Sequence, residues 1–119
     1  MMKQSNVFVE AERKAWEKAG EGVERKILGY DSDLMMVFVK FKKGSVGSLH
    51  RHLHRQVTFV EKGSFEVQIA GEKKVLRTGD SFFIPPDVEH GVVALEEGAL
   101  VDVFSPGRED FVADISRES

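Results

Sequence analysis

Residues 44–63 read GSVGSLHRHLHRQVTFVEKG and hold three of the four histidines of the chain. His50 and His52 are two positions apart, so on a β-strand both side chains leave the same face. Gln56 follows four positions later and can rejoin that face after a short bend. His90 lies in a later segment, which a barrel can bring opposite the first pair. Three imidazoles and an amide oxygen suit a divalent first-row transition metal (iron, manganese, nickel or zinc) and suit calcium or magnesium poorly.

The same histidines have a plain alternative reading. Together with His54, the segment has histidines at positions 50, 52 and 54, and such a run could be a basic loop with no ligand role. All four histidines of the chain nevertheless lie either in this segment or at His90. That concentration favours a metal site.

Around this segment the chain is a series of short β runs separated by glycine turns. Residues 64–70 (SFEVQIA) alternate, with Phe65 and Val67 on one face and polar residues on the other. Prolines 85 and 86 end a later run, because proline cannot donate to a sheet ladder. The predicted strands are residues 34–41, 57–61, 64–70, 75–77, 81–84, 91–95 and 99–104. Strands at this spacing, with almost no helical pattern among them, predict an all-β sandwich or barrel.

Length, composition and charge bound the remaining possibilities. With 119 residues and no internal repeat or linker, we expect one domain over residues 1–119, with an N-terminal arm over about 1–22. Within that arm, residues 8–19 fit a short helix and an irregular segment equally well. The absence of cysteine leaves nitrogen and oxygen as metal ligands.

Charge and hydropathy bear on partners and compartment. The net charge of −3, with both signs mixed, gives no basic stripe, so we expect no nucleic-acid partner. No stretch resembles a secretion signal or reaches membrane-spanning length, which predicts a cytoplasmic protein without a membrane partner.

Residues 99–111 (ALVDVFSPGREDF) contain the candidate catalytic groups. Asp102 and Phe104 share one face of the last strand, but apolar residues lie on both faces, so the pattern leaves open whether Asp102 points inward. An inward carboxylate in a metal-containing cavity is a candidate general base. Arg108 could clamp a substrate carboxylate in bidentate fashion, or it could pair at the surface with one of the two acidic residues that follow it.

Two segments, residues 44–63 and residues 79–94, resemble the two sequence motifs of the cupin superfamily. The positions that keep the family spacing are Gly44, His50, His52, Gly63, Gly79, Pro85 and His90. Gln56 stands where glutamate is usual, and Asp87 and Ala94 replace a glycine and an asparagine that do not normally bind metal. The resemblance implies a cupin double-stranded β-helix (jelly-roll) barrel with a metal inside, on His50, His52, Gln56 and His90.

Residues 22–111 are also similar to small bacterial cupins of pectin and alginate breakdown, which linearise the unsaturated monouronates released by polysaccharide lyases. The similarity is carried by the HxHxxxQ variant, IPPDVEHG and LEEGALVDVFSPGREDF. It implies Asp102 as base, Arg108 as anion clamp and Phe104 as a wall against the sugar ring, with a uronate as the small-molecule substrate. By resemblance we also expect a homodimer, and His54 becomes a loop residue between motif positions.

The replacement of glutamate by Gln56 changes the charge of the proposed ligand set. A neutral amide in place of a carboxylate leaves the charge of a divalent ion uncompensated, which makes the ion a stronger Lewis acid and a better anion trap. This favours binding and polarising a carboxylate-bearing substrate over oxygen activation. The alternatives are a metal-dependent cupin dioxygenase and a non-catalytic sugar-binding cupin, which would not need an inward base at Asp102.

Overall fold

The computed structural model describes residues 3–116, and the side chains of residues 3–112. Ten antiparallel strands form two sheets that face each other. The strands are β1 (Glu17–Gly20), β2 (Val23–Tyr30), β3 (Met35–Phe41), β4 (Val46–His50), β5 (Arg55–Lys62), β6 (Ser64–Ile69), β7 (Glu72–Arg77), β8 (Ser81–Ile84), β9 (His90–Ala94) and β10 (Gly98–Ser105). The six-stranded sheet has the order β1-β2-β3-β10-β5-β8, and the four-stranded sheet has the order β4-β9-β6-β7.

The core lies between the sheets and follows from alternation along the strands. In β3, Met35, Val37 and Val39 are buried, and the residues between them are exposed or half-buried. In β6, Phe65 and Val67 are buried as predicted. All seven predicted strands are present with small changes at their ends, which confirms the all-β class. In the described part of the chain, no helix is long and apolar enough to cross a membrane.

The N-terminal region differs from the expectation. Of the two alternatives for residues 8–19, the short helix is wrong. Only one 3-10 turn forms there, at Ala11–Arg13, and strand β1 begins at Glu17. Pairing with β2 outweighs the weak helical spacing: Glu17 lies opposite Arg25, and their side chains form a salt bridge of 2.6 Å. Part of the expected arm therefore belongs to the six-stranded sheet. A C-terminal helix that the pattern did not predict, α1, spans Glu109–Ser116.

The pairing of β4 with β9 brings the distant histidines together. His50 and His90 are direct partners in the ladder. A Cβ on Gly91 would lie 2.8 Å from the backbone oxygen of Gly47, so the close approach of these two strands requires glycine at position 91.

Candidate metal centre and active site

Three histidines from two strands and a loop converge inside the barrel. His50 ends β4, His52 lies in the loop before β5, and His90 begins β9. One ring nitrogen from each lies within 4.8 Å of the others. The amide of Gln56, a buried residue of β5, approaches this cluster, with its Oε1 3.1 Å from His52 Nε2. The structure thus brings together all four residues that the sequence proposes as ligands.

Backbone carbonyls fix the orientation of each imidazole ring. Nδ1 of His50, His52 and His90 donates to the carbonyl oxygens of Ser48, His54 and Val88, at 2.7, 2.9 and 2.9 Å. An imidazole that donates through Nδ1 keeps a free lone pair on Nε2 when it is neutral. This is the arrangement in which outer-shell partners hold metal-binding histidines.

The atoms inside the cluster fit a cation. Nε2 of His90 is buried and has no hydrogen-bond partner among the described residues. Nε2 of His52 faces the Oε1 of Gln56, and both atoms are acceptors, because the Gln56 amide nitrogen donates to Thr58 Oγ1 at 2.9 Å. Two acceptors at this distance repel each other unless a positive charge lies between them. The three-histidine site could therefore hold a metal ion.

The protonation of the cluster also suits ligation, which requires neutral imidazole. Burial lowers the pKa of His90 to about 4. Burial, followed by the charge of Arg108, also lowers the pKa of His52. Both rings are thus neutral near pH 7. His54, predicted as a loop residue, lies in the loop between β4 and β5, with its ring centroid 5.5 Å from that of His52.

Asp102 faces the cavity between the sheets, which answers the question that its alternation pattern left open. Its Oδ1 accepts a hydrogen bond from Thr58 Oγ1 at 2.7 Å and one from Gln56 Nε2 at 3.3 Å. Burial raises the pKa of Asp102 to about 6, although these hydrogen bonds and the charge of Arg108 oppose the shift. The carboxylate is thus connected to the candidate ligand Gln56 both directly and through Thr58.

Sequence reasoning missed Thr58, which is fully buried and is the cross-strand partner of Asp102. The available signal was local: Thr58 occupies an inward position of β5 between Gln56 and the buried Val60. A polar residue in such a row requires a hydrogen-bond partner inside the fold.

Arg108 pairs with Asp110, one of the two acidic residues considered for it. Its side chain is 11% exposed and forms two hydrogen bonds to Asp110, at 3.0 and 2.8 Å. Its guanidinium also lies over the rings of Phe104, at 5.0 Å, and Phe111, at 4.2 Å. Burial alone would raise the pKa of Asp110, but the hydrogen bonds and charge of Arg108 outweigh it and the pKa is lowered. The buried Phe104 ring also meets His52, at 5.8 Å between centroids.

One further residue of the cavity wall, Arg25, was not found from the sequence. Arg25 projects inward from β2 between the buried Val23 and Ile27, and its guanidinium lies 3.6 Å from the ring centroid of Phe111. Arg25 thereby adds a second arginine to the wall of a cavity of about 920 Å³, which is also lined by His50, His90, Asp102 and Arg108. Its inward direction depends on where β2 lies in the sheet, which local pattern does not fix.

Comparison with known proteins identifies the family. The sequence model of the cupin domain family matches residues 37–104, which is more than half of the chain. This chain is a cupin. It is 52% identical over 99 residues to the pectin degradation protein KdgF of Dickeya dadantii (strain 3937), an alignment that covers 82% of this cupin and 90% of that protein.

Solved structures show the same relationship in three dimensions. An RmlC-like cupin from Shewanella frigidimarina NCIMB 400 superimposes with a TM-score of 0.90 at 48% identity, covering 93% of this cupin and all of that chain. KdgF from Halomonas sp. superimposes with a TM-score of 0.85 at 41% identity, covering 90% of this cupin and 99% of that chain.

In this cupin, Asp87 stands at a position where the cupin motif usually has glycine. Its φ of 61° is a left-handed conformation that aspartate tolerates better than most residues.

Proposed function

We propose that this cupin converts 4,5-unsaturated monouronates, the products of pectin or alginate lyases, to linear 5-keto-4-deoxyuronate. Its identity of 52% to a protein named for pectin degradation supports the substrate class. The observation that carries the proposal is the inward carboxylate of Asp102, which shares a cavity with the histidine cluster. A binding-only cupin would have no need of a titratable base at that place.

His50, His52, His90 and Gln56 are the proposed ligands of one divalent first-row ion, which we propose to be nickel, iron, manganese or zinc. When bound, such an ion would supply positive charge for the substrate carboxylate and for the oxygen that becomes an enolate. Because Gln56 is neutral, the protein ligands would leave that charge undiminished.

Asp102 is the proposed general base. The substrate has a double bond between C4 and C5, and its ring closes through the oxygen on C5. Asp102 takes the proton from the anomeric hydroxyl, the bond between C1 and the ring oxygen breaks, and C1 becomes an aldehyde. The resulting enolate takes up a proton at C4 and becomes the 5-keto acid. A pKa raised to about 6 gives Asp102 a stronger affinity for the proton than an exposed aspartate has.

Two other cavity residues position the substrate. The Arg108 guanidinium is a bidentate donor suited to the uronate carboxylate. The ring of Phe104 forms an apolar wall beside His52, against which one face of the sugar can lie. We further propose that the protein is a single domain over residues 1–119, cytoplasmic and homodimeric.

The direct test is the ultraviolet absorbance of the conjugated double bond, which ring opening and ketonisation remove. Purified protein reconstituted with each candidate metal is added to an unsaturated monouronate, and the rate of absorbance loss is compared with spontaneous decay. We expect a metal-dependent acceleration. Binding of the uronate without any acceleration, with every metal, would reject the enzyme in favour of a sugar-binding cupin.

A further inference from the structure

Arg25 lies among core residues of β2, where the fold has no need of a charge. Val23 and Ile27, its neighbours on the inward face, are buried, and the Arg25 side chain is itself only 17% exposed. Glu17, opposite it in β1, accepts a hydrogen bond from Arg25 Nε at 2.6 Å, which reduces the cost of burying the charge. A well-packed apolar side chain is usually at least as stabilising as such a pair, so stability alone does not account for an arginine here.

The ring of Phe111 separates Arg25 from Arg108. The guanidinium carbons of the two arginines lie 3.6 and 4.2 Å from its centroid. A group that touched the edge of the ring would lie about 5 Å from the centroid, so both guanidinium groups lie over a face. Two groups of this width do not fit on one face at these distances, and they therefore occupy opposite faces. Phe111 is thus held between two cations.

Phe111 is also one of two rings that enclose Arg108. The other is Phe104, whose centroid lies 5.0 Å from the Arg108 guanidinium carbon and whose ring is nearly perpendicular to that of Phe111, at 89°. Phe104 belongs to β10, whereas Arg108 and Phe111 both lie in the segment after that strand, where the Phe111 N–H donates to the Arg108 carbonyl at 3.0 Å. The contact of Phe111 with Arg25 therefore ties the segment that contains Arg108 to β2.

Each of the two cations has its own carboxylate. Glu17 pairs with Arg25, and Asp110 pairs with Arg108 through two hydrogen bonds. These pairs offset the repulsion between two guanidinium groups on one ring. Hydrogen bonds to a guanidinium lie in its plane, so the carboxylates leave its faces free to stack on Phe111.

We propose that Arg25 is a positioning residue for the substrate clamp. It holds Phe111 in place, and Phe111 holds Arg108 in the orientation in which its guanidinium receives the uronate carboxylate. This role depends on the proposed function for its substrate, and Arg25 makes no contact with that substrate itself. Arg25→Met removes the cation from one face of Phe111, so Arg108 loses a fixed partner. Metal content should not change, because none of the proposed ligands lies on β1, β2 or α1.

Nuclear magnetic resonance of the Arg108 Nε–Hε group tests this positioning without substrate, in protein reconstituted with zinc. Aromatic rings shift the signals of protons above their faces, and Arg108→Ala assigns the signal by its loss. In Arg25→Met we expect the signal to move toward that of an exposed arginine and its exchange with water to quicken by about ten-fold. Arg25→Gln, which is also uncharged, should give the same result, and Arg25→Lys should retain part of the wild-type shift.

Arg13→Met is the matched control for these variants. Arg13 also pairs with a glutamate, Glu10 at 3.1 Å, but it lies at the surface, with its side chain 79% exposed. Its replacement should leave the Arg108 signal unchanged. Circular dichroism establishes which variants are folded. An Arg108 signal that stays at its wild-type position and exchange rate in a folded Arg25→Met or Arg25→Gln variant would overturn the proposal.

Kinetics with the unsaturated uronate distinguishes positioning from direct contact. Arg25→Met should raise KM by about ten-fold and change kcat by less than about two-fold. In the Arg108→Ala background it should have no further effect on KM, because Arg25 acts only through Arg108. Additive effects of the two changes would mean that Arg25 contacts the substrate itself and would overturn the positioning role. If the wild type does not accelerate loss of the uronate, the proposed function fails, and the resonance experiment alone decides whether Arg25 positions Arg108.

Discussion

Replacing Asp102 with asparagine should separate the effect of this carboxylate on the reaction from its effect on the folded state. Asparagine keeps an Oδ1 that can accept from Thr58 and Gln56 as Asp102 does, but it cannot take up a proton. Removal of a positioned general base typically costs about a hundred- to ten-thousand-fold in rate. We therefore expect metal-loaded Asp102→Asn to bind the uronate and lose turnover by that factor.

The same change should stabilise the metal-free protein. Burial raises the pKa of Asp102 from 3.8 to about 6, so the folded state holds the proton more tightly than the unfolded state does. Stability therefore falls as the pH rises from about 4 to about 6 and stays reduced above that, by at most about 3 kcal/mol. Asparagine does not ionise, so it does not cause this loss of stability. Asp102→Asn should be the more stable protein at about pH 8, and its advantage should shrink toward about pH 4.

Urea unfolding in the presence of a chelator measures this difference. The chelator is needed because a bound divalent ion would favour the ionised carboxylate and reduce the gain. Asp33→Asn, at an exposed position, is the matched control and should change neither stability nor turnover. No gain in stability at about pH 8 would refute the desolvation argument. Unchanged turnover would show that the base lies elsewhere, with His54 the next candidate.

Further predictions concern the metal, the amide and the arginine. After reconstitution, the wild type should contain about one first-row metal ion per chain by elemental analysis. The double variant His50→Ala with His52→Ala should fold but contain none, and equal metal content in both would reject these ligands. Gln56→Glu should bind metal at least as tightly in a titration yet turn over the uronate more slowly, because added negative charge weakens the Lewis acid; an equal or faster rate would contradict this. Arg108→Ala should raise KM for the uronate more than it lowers kcat, and an unchanged KM would remove Arg108 as the clamp.

The histidine cluster was predictable because two kinds of information coincide in it. The spacing of His50 and His52 fixes a shared face on a strand, a purely local property. The position of His90 opposite them follows from the ladder of β4 with β9, which the two cupin motifs predict and which no local pattern contains. The burial of His90 and the direction of its Nε2 required the structure.

The features that the sequence did not predict also depend on which strands lie next to each other. Glu17–Gly20 is a strand because it pairs with β2, and the alanine spacing of residues 8–19 gives no information about that partner. Arg25 lines the cavity because β2 pairs with β3 and Arg25 lies on the same face of β2 as the buried Val23 and Ile27. The direction of Asp102 was undecided for a related reason: its strand is central, between β3 and β5, with apolar residues on both faces.

The pair formed by Arg108 and Asp110 bears on how the cavity discriminates among anions. Asp110 already occupies the guanidinium with two hydrogen bonds, so Arg108 carries an internal counter-ion. For the proposed reaction, an incoming carboxylate has to displace that counter-ion or share the guanidinium with it. At Arg108, acetate or chloride would have to compete with this tethered carboxylate, which is present at high effective concentration. For the proposed reaction, a uronate would also gain contact along the ring of Phe104, which these small anions lack. The ion pair therefore raises the binding energy that any anion needs in order to bind Arg108.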